Sequence, residues 1–174
     1  MRIAGGIVQI LVFLLLIGGS LIAAGIMANR LSLTDAPGVV TRLLTYLNTN
    51  VAETTEDSPF AELRLRRYEA PDGLLLDIAR RAMQNLKWKI TKVDAEKKEI
   101  QAVVTSKIWK FKDDVTVQVR PAQPSGSLLW IRSASRIGKG DLGANTRHVM
   151  DLIEAVNGIA PVQALVSQQQ DNTE

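Results

Sequence analysis

"DVTVQVRPAQPSGSLLWIRSAS", residues 114–135, is the stretch whose reading decides the fold. Val115, Val117 and Val119 alternate with Thr116, Gln118 and Arg120, the period of a strand with one wet face. "PAQPSGS" then makes a turn, and from Leu128 to Ser135 the extended pattern resumes. A connection this short joins antiparallel neighbours, because a parallel crossover needs about a dozen residues or more. Upstream, "WKITKV" (88–93) buries Trp88 and Ile90, and "EIQAVVT" (99–105) buries Ile100, Ala102 and Val104. The polar turns "DAEKK" and "SKIWKFKD" join these runs, so the pattern predicts an antiparallel meander of four strands.

Outward from the meander lie two helical patterns. "APDGLLLDIARRAMQNL" (70–86) puts Leu75, Ile78, Ala79, Ala82, Met83 and Leu86 on one stripe, with Asp72 as cap and Arg80 and Arg81 toward water. After the meander, a helix from about Leu142 to Asn157 aligns Leu142, Val149, Leu152, Ile153 and Val156, with Gly158 as C-cap. "ELRLRRY" (62–68) alternates as a further strand. The order is strand, helix, four strands, helix, which predicts a two-layer α+β domain over 58–160 with both helices on one face of an antiparallel sheet. Residues 161–174 read as a disordered tail.

The front of the chain is different. From Ile3 to Met27 no residue is charged, and at about 1.5 Å per residue such a helix exceeds the roughly 30 Å hydrocarbon core. Signal peptides have shorter apolar regions, of about 7 to 15 residues, so residues 1–29 read as a retained transmembrane anchor. Arg2 stands on one side and Arg30 and Arg42 on the other; the short tail before the span places the domain on the far side of the membrane. Residues 30–57 read as an amphipathic helix followed by a polar linker. The helix, "LTDAPGVVTRLLTYLNTN", carries Val40, Leu43, Leu44 and Leu47, with Asp35 as a cap and Pro37 in the first turn. It either lies on headgroups or docks on the domain.

Charge and composition narrow the chemistry. The 21 basic and 18 acidic residues are interleaved, giving a net charge of +3. That pattern lacks the basic face of a nucleic-acid binder, and anionic lipid is the more natural partner. With no cysteine and one histidine, His148, neither a thiolate nucleophile nor a transition-metal centre is expected, and no cofactor is indicated. A serine nucleophile at Ser133 or Ser135 has no G-x-S-x-G elbow around it. Asp113 and Asp114 are strand neighbours, which point to opposite faces.

"PFAELRLRRYEAP", "LKWKITKVD", "FKDDVTVQVRP" and above all "IRSASRIGKGDLGAN" resemble the DUF1499 family, bacterial and plastid proteins of unassigned function. The resemblance covers about residues 58 to 157. It implies a domain often preceded by a membrane span or targeting segment, and brings no activity, cofactor or catalytic residue with it. Many members begin with a cysteine-containing "PNCVSS"-like run where this chain has "SPFAEL", so no role of those cysteines transfers.

The "RSASRIGKGDLGAN" corner is the candidate site. Arg132, Ser133, Ser135, Arg136, Lys139, Asp141 and Asn145 combine arginines, glycines and a helix start, the ingredients of an anion site. Asp141, however, stands where an anion would sit and is itself a good N-cap. The competing expectation is structural: Arg132 or Arg136 pairs with Asp113 or Asp114, and the serines bond backbone of the corner. Trp88, Trp109, Phe111 and Trp130 are expected mainly in the core, although "KIWKFK" also suits a membrane surface. The functional expectation is a non-catalytic, single-pass envelope protein of the bacterial inner membrane, its domain periplasmic, that binds a lipid, an anionic headgroup or a membrane protein. A hydrolase using the Ser/Arg/Asp corner is the alternative.

Overall fold

The computed structural model describes residues 2–106, 110–159 and 164–165. Its helices are α1 (Arg2–Ala28), α2 (Val39–Asn48), α3 (Asp72–Asn85) and α4 (Ala144–Ile159). Its strands are β1 (Val51–Glu53), β2 (Arg66–Tyr68), β3 (Lys89–Asp94), β4 (Glu99–Thr105), β5 (Lys112–Pro121), β6 (Ser127–Ser135) and β7 (Ala164–Leu165), with a 3₁₀ turn at Ala61–Leu63.

The alternation that decided the fold is realised in the pairing of β5 with β6, which sets Val117 opposite Ile131 and Val115 opposite Ser133. Val115, Val117 and Val119 are buried together with Leu129, Ile131 and Ser133. The meander continues as expected, antiparallel throughout, in the order β3-β4-β5-β6-β2-β7. The free edge of β6 is shared end to end: β2 pairs with Ser127–Leu129 and β1 with Arg132–Ala134. Helices α3 and α4 pack on each other and on one face of the sheet. Their stripes, Leu75, Ile78, Ala79, Ala82 and Met83 from α3 and Val149, Leu152, Ile153 and Val156 from α4, close the core. Truncating one of the large members to alanine costs about 2–5 kcal/mol in such surroundings.

Several local expectations are corrected. Residues 62–65 are not strand: Leu63 ends the 3₁₀ turn and is buried, and the neighbouring backbone bonds Thr55, with Thr55 N donating to Leu63 O and Leu65 N to Thr55 O, each at 3.0 Å. The supposed linker is built in, because Val51–Glu53 extends the sheet and Thr54 and Ser58 are buried. Asp72 is the first residue of α3 and bonds its own neighbour, Gly73 N at 2.6 Å, while Pro71 holds the capping position. Asp35 and Pro37 lie in a turn before α2, whose capping position is Gly38. Leu142 adopts a left-handed backbone, φ 56°, so α4 begins after it, and Gly158 falls inside the last turn. Of the stretch expected to be a disordered tail, Ala164–Leu165 pairs with Arg67–Tyr68; the rest lies outside the described residues.

One N-terminal apolar helix, Gly6–Ala28, is long and apolar enough to cross a membrane, a property that signal sequences share. Its large side chains are exposed from Ile7 to Ile22, but Ile26 is buried against the domain.

Candidate functional site

At the end of β6 the chain turns through residues 136–143 into α4, and Asn145 organises the turn. Its Oδ1 accepts from Ser133 Oγ at 2.5 Å. Its Nδ2 lies 2.8 Å from Ser135 Oγ, 2.8 Å from Asn50 O and 2.7 Å from Asp141 Oδ2. Asp141 caps the helix as expected, accepting from Gly143 N and Asn145 N at 2.8 Å each. The positive end of α4 is therefore occupied by the chain's own carboxylate. The serines bond the Asn145 side chain rather than corner backbone, and Ser133 and Asn145 are fully buried. Ser133, Ser135, Asp141 and Asn145 thus face one another.

The other side of the corner grips α2 and the end of α1. Asp141 N donates to Thr49 O at 3.2 Å and Leu142 N to Tyr46 O at 3.0 Å. Asn50 Nδ2 reaches Gly138 O at 2.6 Å, and Asn29 Nδ2 reaches Leu142 O at 2.9 Å. Two glycines allow this approach. A Cβ on Gly140 would collide with the backbone of Leu47, and one on Gly143, at φ 86°, with the side chain of Leu31. Gly25 of α1 does the same for Leu142. Gly140 and Gly143 of "IGKGDLG" serve helix docking, which a motif reading for anions cannot distinguish from ligand approach.

The arginines divide. Arg136 pairs with Asp114 as expected, bidentately at 2.9 and 2.7 Å, and its guanidinium holds the Asp114 carboxyl below the usual range. Both partners are half exposed, however, so the expected buried register pin is a surface pair. Arg136→Ala is predicted to leave the urea unfolding midpoint nearly unchanged. Arg132 instead reaches Glu53 of β1 at 3.7 Å, a partner hidden in the supposed linker. Lys139 is exposed.

Asp113 turns inward beneath α4. Its Oδ2 lies 3.7 Å from His148 Nδ1, and Ser133 Oγ lies 3.3 Å from the same nitrogen. A serine relay needs the two partners on opposite ring nitrogens. Here both meet at Nδ1 and the serine is buried, so the trio lacks that geometry. The Trp88 ring meets His148 edge-on, with centroids 5.9 Å apart. Burial depresses the His148 pKa, outweighing the opposing pull of Asp113, Asp151 and Asp141. The unfolded chain thus binds a proton more readily than the folded one. Stability should fall as the pH drops below about 6.5, levelling once the folded histidine also protonates. Urea midpoints at about pH 7 and pH 5 test this, and His148→Gln should flatten the difference.

Among the aromatics, Trp88 is partly buried and packs against the core as expected, whereas Trp130 is half-buried and Phe111 exposed; Trp109 lies outside the described residues. Trp130 Nε1 donates to Glu53 at 3.0 Å beneath the Arg120 guanidinium, 5.0 Å from the ring centroid. Arg42, read from sequence only as a topological charge, is 0% exposed. It spends all five of its N–H groups: Nε on Asp35 O, Nη1 on Glu62 Oε1 and Tyr46 OH, and Nη2 on Glu62 Oε2 and Ala36 O. The Phe60 ring lies 5.0 Å below it. Only its place on the α2 face opposite Val40, Leu44 and Leu47 signalled this role.

A shallow groove of about 240 Å³ lies away from the corner, between α4 and the 3₁₀ turn, lined by Glu62, Arg66, Met150, Ile153, Glu154 and Asn157. Among the described residues no cluster of three His, Asp or Glu is placed to hold a metal ion.

The sequence pattern described as "Protein of unknown function (DUF1499)" matches residues 33–156. The chain belongs to the DUF1499 family. No curated protein matches it. The DUF1499 match begins before α2 and takes in β1, well upstream of the motif-based resemblance. The geometry gives the reason: α2 and β1 are held by the corner and by β6, and belong to the same folded unit.

Proposed function

We propose that this DUF1499 protein is a single-pass protein of the bacterial inner membrane, with its domain in the periplasm, that works without catalysis by binding at the bilayer surface. The observation that carries this reading is the junction of α1 with the corner. Gly25 and Asn29 are seated on Leu142 and Ile26 is buried, while the rest of the apolar helix stands free of the domain. A helix removed as a signal would leave that seat empty. The motif that most resembles an anion site is spent on this junction, and the Ser133–His148–Asp113 trio lacks a relay, which favours binding over hydrolysis.

Full-length protein is expected to stay in the membrane pellet after alkaline carbonate extraction. A C-terminal alkaline phosphatase fusion should be active and a green fluorescent protein fusion dark. Recovery of soluble protein lacking residues 1–29 would overturn the anchor, and the reverse fusion pattern would overturn the side. Turnover of a model ester that vanishes in Ser133→Ala would restore the hydrolase.

A further inference from the structure

Helix α2 is inverted for a helix docked on a domain. Its inward face carries Arg42 and Tyr46, and its outward face carries Val40, Leu44 and Leu47 at i, i+4 and i+7. Val40 is 71% exposed. An apolar stripe left in water is a binding surface in want of a partner. Its location indicates which one. Leu142 touches both helices, taking Gly25 of α1 on its side chain and Tyr46 O of α2 on its amide. The span Gly6–Ala28 has 23 residues, about 34 Å of helix, so the hydrocarbon boundary falls near the last turn of α1, which holds Gly25 and is followed by Asn29. The stripe therefore begins beside the point where the chain leaves the bilayer.

More apolar surface faces out at the same end of the sheet. Ile137, in the turn held by Asn50, is 73% exposed. Phe111 is exposed across from it, in a hairpin fixed by the 3.1 Å bond from Arg136 N to Lys112 O. Lys112 and Lys139 flank these two residues, both exposed and, among the described residues, in no ion pair with a carboxylate. Apolar side chains ringed by lysine, next to a membrane helix, match the headgroup and acyl boundary of an anionic bilayer.

We propose that Val40, Leu44 and Leu47 of α2, with Ile137 and Phe111, rest on the bilayer from which α1 emerges, and that Lys112 and Lys139 favour anionic lipid there. The domain then lies face down on the membrane instead of swinging on a tether. This rests on the reading of α1 as a retained span, and the test separates the two.

The chain has no cysteine, so single-cysteine variants carry one label each. Leu44→Cys, Ile137→Cys and, on the distant edge strand β3, Val93→Cys are spin-labelled in the full-length protein. All three residues are exposed, so substitution leaves the core intact. The proteins are reconstituted into phosphatidylcholine vesicles with and without phosphatidylglycerol. At positions 44 and 137 the label should collide several-fold more with oxygen than with a water-soluble nickel chelate, more so with phosphatidylglycerol, and at position 93 the order should reverse. Lys112→Glu combined with Lys139→Glu should abolish the phosphatidylglycerol effect. Labels at 44 and 137 that read as aqueous on protein that still floats with vesicles would overturn the docking face while leaving the anchor standing. Protein that fails to float would overturn the anchor. Protection seen only in native membranes would assign the surface to a protein and refute the lipid.

Discussion

Arg42→Ala should lower the unfolding free energy of the detergent-solubilised protein by about 3–5 kcal/mol, the cost of orphaning one member of a buried pair. Glu62, at 15% side-chain exposure, would lose the guanidinium that stands 2.6 Å away. Tyr46 OH and the carbonyls of Asp35 and Ala36 would lose donors in the same event. Arg42→Lys should recover little, because an ammonium has three donors and no fork to meet a carboxylate and two carbonyls together. The double variant Arg42→Met, Glu62→Gln should be milder than Arg42→Ala, since it removes both charges and fills the space. A loss for Arg42→Ala below about 1 kcal/mol in chemical denaturation would mean that the pair is solvated and the hub unimportant.

Asn145→Ala carries the second large effect, a loss of roughly 3 kcal/mol. The amide is the shared partner of Ser133 Oγ, Ser135 Oγ, Asn50 O and Asp141 Oδ2. Three of these have alternatives: Ser133 keeps His148, Asn50 O keeps Ser135 N at 2.9 Å, and Asp141 keeps the amides of Gly143 and residue 145. The loss therefore falls on Ser135 Oγ and on the tie from α4 to Asn50, which follows α2. Hydrogen exchange should accordingly speed up in α2 and residues 136–143 before it does in β4 and β5. Uniform acceleration through the sheet would place Asn145 in the core's cooperative unit and contradict its role as a clasp for α2 and α1.

The meander, α3 and the inner stripe of α4 were legible because each repeats its own period several times. Val115, Val117 and Val119, or Ile78, Ala82 and Met83, state their burial through neighbours a few residues away. That a corner arginine meets Asp113 or Asp114 was legible too, from two adjacent strands, but which arginine and which aspartate was not. The misread places share a cause. Arg132 finds Glu53, and Arg42 finds Glu62, across stretches that look like linker or surface when read locally. Thr55 draws Leu63 and Leu65 out of the strand that their alternation announced. The glycines of residues 138–143 look alike in a phosphate loop and in a helix seat, because both need a backbone that something else approaches closely.

By itself the sequence determined the α+β class, the antiparallel meander, the faces that β4 and β5 bury, the capping of α4 by Asp141 and an apolar helix long enough for a bilayer. These follow from short-range sterics and period, which a chain carries wherever it goes. Only the tertiary structure decided what the corner is for, which carboxylate each arginine meets and which face of α2 stays bare. Those outcomes depend on segments dozens of residues apart arriving at one place, where desolvation selects the partner and local pattern is silent.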